Sequence, residues 1–415
     1  MVPDDPTSSH APWPAPVAST VVYGLEPPVD HSHPSGAPRR RRLAMVAAVL
    51  VLLAAVAAVV RVESRHDSRQ PEAATKSPTA TTTPKNASSG GDTLPTVAAL
   101  PSTQAALDTD AIVALVDPAV VDITLALDGG EAAGTGMVLT PSGLLLTNNH
   151  VIDGATDISV QIAATGPSHP AHVLGYDIVD DVALLQIEGV SGLKTVTLGD
   201  SAAVDVGDPV VAIGNALGAP GPHAVTTGSV NALDQSVTAN EPTGESQDLS
   251  GLIQMNARLR PGDSGGPLVN SAGQVIGMNS VASVGGRQFG RSNVGYAIPI
   301  VHALDIARQI QAGTASASIH IGDRAILGVQ VTDTTSPDKP GALVEAVSNG
   351  SPADDAGIRR DTVITSIDKA AITSVDDIGH ALFPHSPGDS VEVTWTDPDG
   401  TSHTATVELA VGPPA

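Results

Sequence analysis

The pattern of apolar and polar positions divides the chain into four stretches. Residues 1–42 are rich in proline and polar residues and show no periodicity, which predicts a disordered tail. Residues 43–60 form an unbroken apolar run. Residues 61–105 are again polar, with proline, serine and glycine, and predict a flexible linker. From residue 106 onward, short apolar runs separated by turn residues indicate a folded region.

The apolar run at 43–60 is long enough to cross a membrane. As a helix it spans about 27 Å, against a hydrocarbon core of about 30 Å. A cleaved signal peptide is the alternative, because alanine fills the end of the run, but the amino-terminal region is far longer than that of an ordinary signal. Four contiguous arginines, Arg39 to Arg42, precede the run. The sequence predicts one transmembrane helix with a cytoplasmic amino terminus and the folded region outside the cytoplasm.

The first part of the folded region reads mainly as β-structure. Helical spacing occurs at Asp110 to Val116, with a capping residue among 108–110, and at Ile300 to Gln311. Many short strands with glycine turns and few helices indicate an antiparallel barrel or sandwich. The predicted strands are 120–127, 137–140, 144–147, 158–163, 182–187 and 210–214.

Composition narrows the possible functions. Aromatic residues make up only 2% of the chain, so Val, Ile, Leu and Ala must fill the cores, which suits β-structure. The absence of cysteine excludes disulfides, thiol catalysis and zinc–thiolate sites. A net charge of −24 repels phosphate, so nucleic acid is not an expected partner. No motif for a metal or nucleotide is found, and no cofactor is predicted.

Candidate chemistry lies at three separated motifs. Ser264 stands between glycine-rich flanks, where the backbone N–H groups of Gly262 and Ser264 can converge on a developing oxyanion. Upstream, His150 follows an apolar strand, and Asp180 or Asp181 begins another. The order histidine, aspartate, serine is one in which the catalytic triad occurs on unrelated folds. The residues alone leave the choice between the two aspartates open.

Together these motifs resemble the HtrA/Deg family of trypsin-like serine proteases. The resemblance rests on Asp117-Pro118-Ala119-Val120-Val121, Thr147-Asn148-Asn149-His150-Val151, Asp181-Val182-Ala183-Leu184-Leu185, Ala212-Ile213-Gly214-Asn215 and Gly262-Asp263-Ser264-Gly265-Gly266. It implies a protease domain at 106–315 built from two six-stranded antiparallel β-barrels. It also implies His150, Asp181 and Ser264 as catalytic residues, Gly262 and Ser264 as the oxyanion hole, and Leu259 and Ala282 at the specificity pocket.

One residue departs from the family pattern. Asp263 precedes the serine where HtrA-like proteins usually have asparagine. Secreted trypsin-like enzymes pair such an aspartate with a newly cut amino terminus, which an anchored chain lacks. The hypothesis is that Asp263 pairs locally, with Arg258 or Arg260, and so biases the oxyanion loop.

The region 322–412 resembles a PDZ domain, a small α+β fold. Ile326-Leu327-Gly328-Val329 resembles its carboxylate-binding loop, and Gly350 to Ile358 resembles its helix. A PDZ domain captures a peptide carboxyl terminus with backbone N–H groups and adds the peptide as an extra strand.

The interpretation is therefore a membrane-anchored serine endopeptidase that cuts misfolded or exposed polypeptides outside the cytoplasm and is regulated by its PDZ domain. Its expected partners are unfolded polypeptides, C-terminal peptides and the membrane. A homotrimer is implied by the resemblance only. The alternative is a non-catalytic or chaperone-like scaffold that binds peptides through the PDZ domain.

Overall fold

The computed structural model describes nine stretches of the chain, with short gaps between them. Within these stretches no helix is both long and apolar enough to span a membrane. The predicted tail at 1–42, the predicted transmembrane helix at 43–60 and most of the predicted linker at 61–105 lie outside them. The described residues are 93–101, 106–127, 129–164, 166–219, 221–240, 246–280, 283–284, 294–334 and 340–414.

The carboxyl end of the predicted linker contacts the folded region. Ala98 forms a parallel β-bridge with Gly199, and Leu94 is buried in an apolar cluster. The side chain of Gln274 donates a hydrogen bond to the carbonyl oxygen of Ala99 at 3.2 Å. The sequence pattern predicts that folded structure begins at Ala106, but these contacts show that it begins earlier. A segment this short has no periodicity from which its contacts could be predicted.

The first β-barrel contains six antiparallel strands. Its elements are α1 (Thr109–Val116), β1 (Val120–Leu127), β2 (Gly130–Val138), β3 (Leu144–Thr147), α2 (Asn149–Ile152), β4 (Asp157–Ile162), β5 (Ser168–Asp177) and β6 (Val182–Ile187). The strands pair in the order β5-β4-β1-β2-β3-β6, and β5 also pairs with β6, which closes the barrel. The side chain of Asp108 accepts a hydrogen bond from the backbone of Ala111 and caps α1.

The second β-barrel also has six strands in its closed ring. Its elements are β7 (Thr197–Leu198), β8 (Pro209–Gly214), β9 (Ala224–Asn240), β10 (Ser246–Met255), β11 (Pro267–Val269), β12 (Gln274–Ser280), β13 (Ser283–Val284), β14 (Gly295–Pro299) and α3 (Ile300–Gln311). The ring runs β10-β14-β12-β11-β8-β9, and β9 pairs with β10 to close it. The short strands β7 and β13 pair outside the ring, with β12 and β9.

A smaller α+β domain follows. Strand β15 (Ile319–Ile321) precedes this domain and packs with the barrels through Ile319. The elements of the small domain are β16 (Arg324–Ile326), β17 (Val329–Asp333), β18 (Ala342–Val347), α4 (Pro352–Ala356), β19 (Val363–Ile367), β20 (Ala370–Ala371), α5 (Val375–Leu382), β21 (Ser390–Thr396), β22 (Ser402–Glu408) and β23 (Ala410–Gly412). Strand β15 pairs with β5 of the first barrel, and β16 pairs with β23. The main sheet runs β17-β18-β19-β21-β22, so β17 is an edge strand.

Apolar side chains of the described residues form four clusters. One fills the first barrel around Ile123 and Tyr176, and another fills the second barrel around Met255. A third combines side chains from both barrels with the buried face of α3, and a fourth fills the small domain around Trp395. Each barrel thus has its own core, and a separate apolar contact joins the two.

The predicted fold class of two six-stranded antiparallel barrels and a small α+β domain is confirmed. Strands β1, β3 and β6 and helix α3 have the predicted bounds. The sequence analysis predicted no strand at β5, β7 or β9 to β14. In β5 and β9 the serine, threonine, alanine and histidine residues show no sustained alternation of apolar and polar positions.

His223 forms a buried ionic bridge between the barrels. It directly precedes β9 of the second barrel, and its side chain is 1% exposed. Its Nδ1 lies 2.7 Å from Asp117 Oδ1, and its Nε2 lies 3.0 Å from Oδ1 of Asp122 in β1. Burial lowers the pKa of His223, but hydrogen bonds and attraction to the two carboxylates outweigh burial and raise the pKa above its ordinary value.

We predict that this bridge makes folding stability depend on pH. Because the pKa of His223 is raised in the folded state, its contribution is complete below the unfolded pKa of about 6.5 and is lost as pH rises through the folded pKa. Thermal unfolding from pH 5.5 to 8.5 should show His223→Gln less stable than the wild type by roughly 3 kcal/mol at the acidic end, with a smaller difference at the basic end. The matched control is His172→Gln, which breaks the exposed pair with Glu188. A pH-independent difference would contradict the charged bridge.

Candidate active site

His150 is presented by the short helix α2 directly after β3. Every residue of β3 is buried, so its alternating side chains pack on both faces of the strand. This packing holds the end of β3, from which α2 begins. The ring nitrogen Nδ1 of His150 lies 2.8 Å from Asp181 Oδ2 and 3.0 Å from Oδ1. Because Nδ1 is occupied by Asp181, Nε2 is the ring nitrogen that remains for another contact, and it is the atom that a triad histidine uses as a base.

Asp181 is completely buried and receives several hydrogen bonds. The backbone N–H of His150 donates to Oδ1 at 2.9 Å. The side-chain amide of Asn148 donates to Oδ2 at 3.0 Å, and the Ser280 hydroxyl donates to Oδ2 at 3.4 Å. A buried carboxylate requires such donors, because charge removed from water is costly unless it is compensated.

The structure separates the two aspartates that the residues alone left open. Asp181 contacts His150, whereas Asp180 Oδ1 lies 3.1 Å from Nε2 of His302 on α3. Asp181 has a left-handed backbone, with φ of 55°, which is uncommon for a residue other than glycine.

Ser264 lies in a tight loop between β10 and β11 and is 5% exposed. Gly262 has φ of 96°, and a Cβ there would clash with the carbonyl oxygen of Asn215, so glycine is required. The backbone N–H of Thr135 in β2 donates to the carbonyl oxygen of Ser264 at 2.9 Å. The loop of the second barrel is thereby tied to the first barrel, which carries His150 and Asp181.

The peptide between Pro261 and Gly262 is oriented by a neighbouring loop. The N–H of Leu217 donates to the carbonyl oxygen of Pro261 at 2.6 Å. In a trans peptide the N–H points opposite to the carbonyl, so the Gly262 N–H faces away from Leu217. No acceptor for this N–H is found among the described residues. A cleft of about 530 Å³ adjoins it, lined by Thr124, Glu131, Ala132, Ala133, Leu217, Gly218, Pro261 and Gly262.

Asp263 is 4% exposed, and its local partner is a backbone group. The N–H of Arg260 donates to Oδ2 at 2.8 Å, while Oδ1 is buried with no hydrogen-bond partner. Asp263 therefore pairs locally with Arg260, one of the two expected partners, but through the backbone N–H; in the described part of the chain no arginine side chain forms an ion pair with it. Burial outweighs the hydrogen bond and the charge of Arg260 and raises the pKa of Asp263 to about 6.

Of the two residues expected at the specificity pocket, only Leu259 lies among the described residues. Leu259 is 9% exposed and belongs to the core cluster of the second barrel, beside Gly295. Ala282 lies outside the described residues. Their part in substrate selection stays a prediction.

The loop Ile326-Leu327-Gly328-Val329 connects β16 to the edge strand β17. Gly328 has φ of 75°, and its carbonyl oxygen accepts a hydrogen bond from the N–H of Ser348. A narrow groove lies between this loop and helix α5. It is lined by Arg324, Ala325, Ile326, Leu327, Gly328, Val329, Ile378, Gly379 and Leu382.

Sequence reasoning did not single out Asn148, Ser280 or Thr135. Asn148 and Ser280 hold the carboxylate of Asp181, and Thr135 holds the loop of Ser264. Asn148 stands two residues before His150 in the motif Thr147-Asn148-Asn149-His150-Val151, so its position was an available signal. Ser280 and Thr135 gave none, because only the pairing of distant strands brings them to the site.

The fold and the site define a trypsin-like serine peptidase joined to a PDZ domain. A family model described as a trypsin-like peptidase domain matches residues 134–278, and a PDZ domain model matches residues 325–409. The chain is 32% identical over 293 residues to the serine protease Do-like HtrA of Lactococcus lactis, a match that covers 68% of this chain and 71% of that protein. The chain belongs to the HtrA family of serine proteases.

Further relatives agree with this assignment. The chain is 36% identical over 312 residues to serine protease PepD of Mycobacterium tuberculosis, which covers 72% of this chain and 65% of PepD. The match thus spans somewhat less than two thirds of that relative. A solved structure of the HtrA-type protease AlgW with tripeptide is 29% identical, with 73% of this chain and 97% of that one covered and a TM-score of 0.43. Because that score is low, the assignment rests on the sequence matches.

We predict that Asp263→Asn stabilises the protein at neutral pH. The raised pKa means that the folded state binds the proton of Asp263 more tightly than the unfolded chain, so wild-type stability falls as pH rises from about 4 to about 6 and stays lower above. Asparagine keeps an acceptor for the Arg260 N–H without the charge. Thermal unfolding should show the variant more stable by roughly 1–3 kcal/mol at pH 8 and nearly equal to the wild type near pH 3.5, below the unfolded pKa of about 3.9. Asp305→Asn, at an exposed position on α3, is the control.

Proposed function

We propose that the chain is a serine endopeptidase that hydrolyses peptide bonds of misfolded or exposed proteins through an acyl-enzyme. The observation that carries this proposal is the contact of His150 Nδ1 with the buried carboxylate of Asp181, in a fold whose glycine-flanked Ser264 loop is held against the same barrel. Membership of a family of serine proteases supports it.

The proposed reaction assigns each group one task. Ser264 Oγ attacks the scissile carbonyl carbon while His150 Nε2 accepts the hydroxyl proton. Asp181 holds the imidazole and stabilises its protonated form. The N–H groups of Gly262 and Ser264 donate to the oxyanion of the tetrahedral intermediate. The protonated His150 then gives its proton to the leaving amine, and water, activated in the same way, releases the acyl group from Ser264.

The small domain is proposed to bind peptides that end in a free carboxyl group. The carboxylate would accept hydrogen bonds from the backbone of the loop 326–329, and the peptide would pair with the edge of β17. The apolar walls of the groove, Leu327, Ile378 and Leu382, favour an apolar terminal side chain. Regulation of the protease by such peptides is part of this proposal.

The location and assembly of the protein are also proposed. The apolar run at 43–60 would anchor the chain in the membrane, with the catalytic and PDZ domains outside the cytoplasm. A homotrimer is proposed only from the family resemblance.

We predict that the full-length protein in detergent cleaves unfolded casein and that Ser264→Ala abolishes the cleavage. Without the Ser264 hydroxyl no acyl-enzyme forms, and activity should fall by at least about 10⁴-fold. Peptide fragments are followed by mass spectrometry. The control is Ser402→Ala, at an exposed position in β22 of the small domain, which should cleave normally. Tight peptide binding by both proteins with no cleavage by either would support the scaffold alternative instead.

We predict that Gly328→Val abolishes binding of peptides with apolar carboxyl termini. Gly328 has a positive φ, and a Cβ there would clash with the side chain of Ser351, so valine must distort the loop. Fluorescence anisotropy of a labelled peptide measures the binding. The same peptide with an amidated terminus should fail to bind the wild type, and Gly400→Val, in a turn between β21 and β22, is the matched control for a glycine of positive φ.

A further inference from the structure

Thr135 in β2 lies where the first barrel meets the loop of Ser264. It is completely buried, and it stands between Gly134 and Gly136, which pack against Val151 and Leu145 in the core of the first barrel. Because side chains alternate along a strand, Thr135 faces the opposite side, toward the second barrel.

Both backbone and side chain of Thr135 bind the loop of Ser264. The N–H of Thr135 donates to the carbonyl oxygen of Ser264 at 2.9 Å, and its hydroxyl donates to the carbonyl oxygen of Gly262 at 2.6 Å. These two carbonyls flank the peptide between Asp263 and Ser264. Fixing them limits the rotation of that peptide, whose N–H is one of the two proposed oxyanion donors.

The same hydroxyl also supports the second proposed donor. It accepts a hydrogen bond from the N–H of Asn215 at 2.8 Å. Two residues later, the N–H of Leu217 holds the carbonyl of Pro261 and thereby orients the N–H of Gly262. Leu217 has a left-handed φ of 65°, a conformation costly for leucine that needs support from its surroundings.

We propose that Thr135 is a positioning residue whose hydroxyl aligns both oxyanion donors of the Ser264 loop. The inference rests on the proposed protease function. Thr135 does not contact the reacting atoms, and it acts through Gly262 and Asn215. Catalysis by preorganised donors depends on their alignment before the reaction, so loss of the hydroxyl should slow the chemical step more than it weakens substrate binding.

The test compares Thr135→Val with Thr135→Ser in the full-length protein. Valine keeps the shape and removes the hydroxyl, whereas serine keeps the hydroxyl. We expect Thr135→Val to lower kcat on labelled casein about 10- to 100-fold with KM changed less than about twofold, and Thr135→Ser to restore most of kcat. The rate at which a fluorophosphonate probe labels Ser264 should fall in parallel, because that reaction also places an oxygen in the oxyanion hole.

Thr140→Val is the matched control. Its buried hydroxyl accepts a hydrogen bond from the N–H of Leu144 in the same barrel but does not contact the Ser264 loop. We expect this variant to lose stability with kcat unchanged. All rates are measured at a temperature where circular dichroism shows each variant fully folded. If Thr135→Val does not fold, Thr135→Ala, which also removes the hydroxyl, is used in its place with the same expected result.

The outcomes separate the inference from the function on which it rests. A kcat of Thr135→Val within about twofold of the wild type, or a change confined to KM, would overturn the positioning role and leave the protease intact. A wild type that neither cleaves casein nor is labelled at Ser264 would overturn the proposed function, and the positioning role with it.

Discussion

The candidate site depends on hydrogen bonds that cross between two separately closed barrels. His150 and Asp181 belong to the first barrel, whereas Ser264 and its loop belong to the second. Apolar packing between the barrels supplies attraction but little direction, because the hydrophobic effect is proportional to area and not to orientation. Directional contacts are therefore needed, and Thr135 supplies them by binding the loop of Ser264 through both its backbone and its hydroxyl.

Two buried aspartates beside this contact illustrate different solutions to the cost of burying charge. Asp181 receives hydrogen bonds from His150, Asn148 and Ser280, which compensate its carboxylate. Asp263 receives one from the Arg260 backbone and retains an unpartnered oxygen, so its pKa rises. The first arrangement suits a group that must stay charged to support an imidazolium. The second places a poorly compensated carboxylate directly beside Ser264.

The sequence pointed to the residues proposed to perform chemistry more readily than to the residues that support them. His150 and Ser264 stand in local motifs whose glycines and apolar neighbours are visible along the chain, so the sequence alone suggests them. Thr135 and Ser280 reach the site only through pairing of strands far apart in sequence, and no local pattern encodes that proximity. The local partner of Asp263 was among the two residues that the sequence suggested, but the group that binds was not visible in it. The tight turn brings the backbone N–H of Arg260 to the carboxylate.

The ionic bridge and the support of the Ser264 loop share one pair of strands. Asp122 in β1 lies directly opposite Thr135 in β2, and residues paired in this way place their side chains on the same face of the sheet. Asp122 contacts His223, while Thr135 contacts Gly262 and Asn215. Both partners of the strand pair thus bind segments of the second barrel. Because residues in contact contribute to stability in a coupled way, the stability of the barrel contact and the alignment of the proposed oxyanion donors depend on one shared interface.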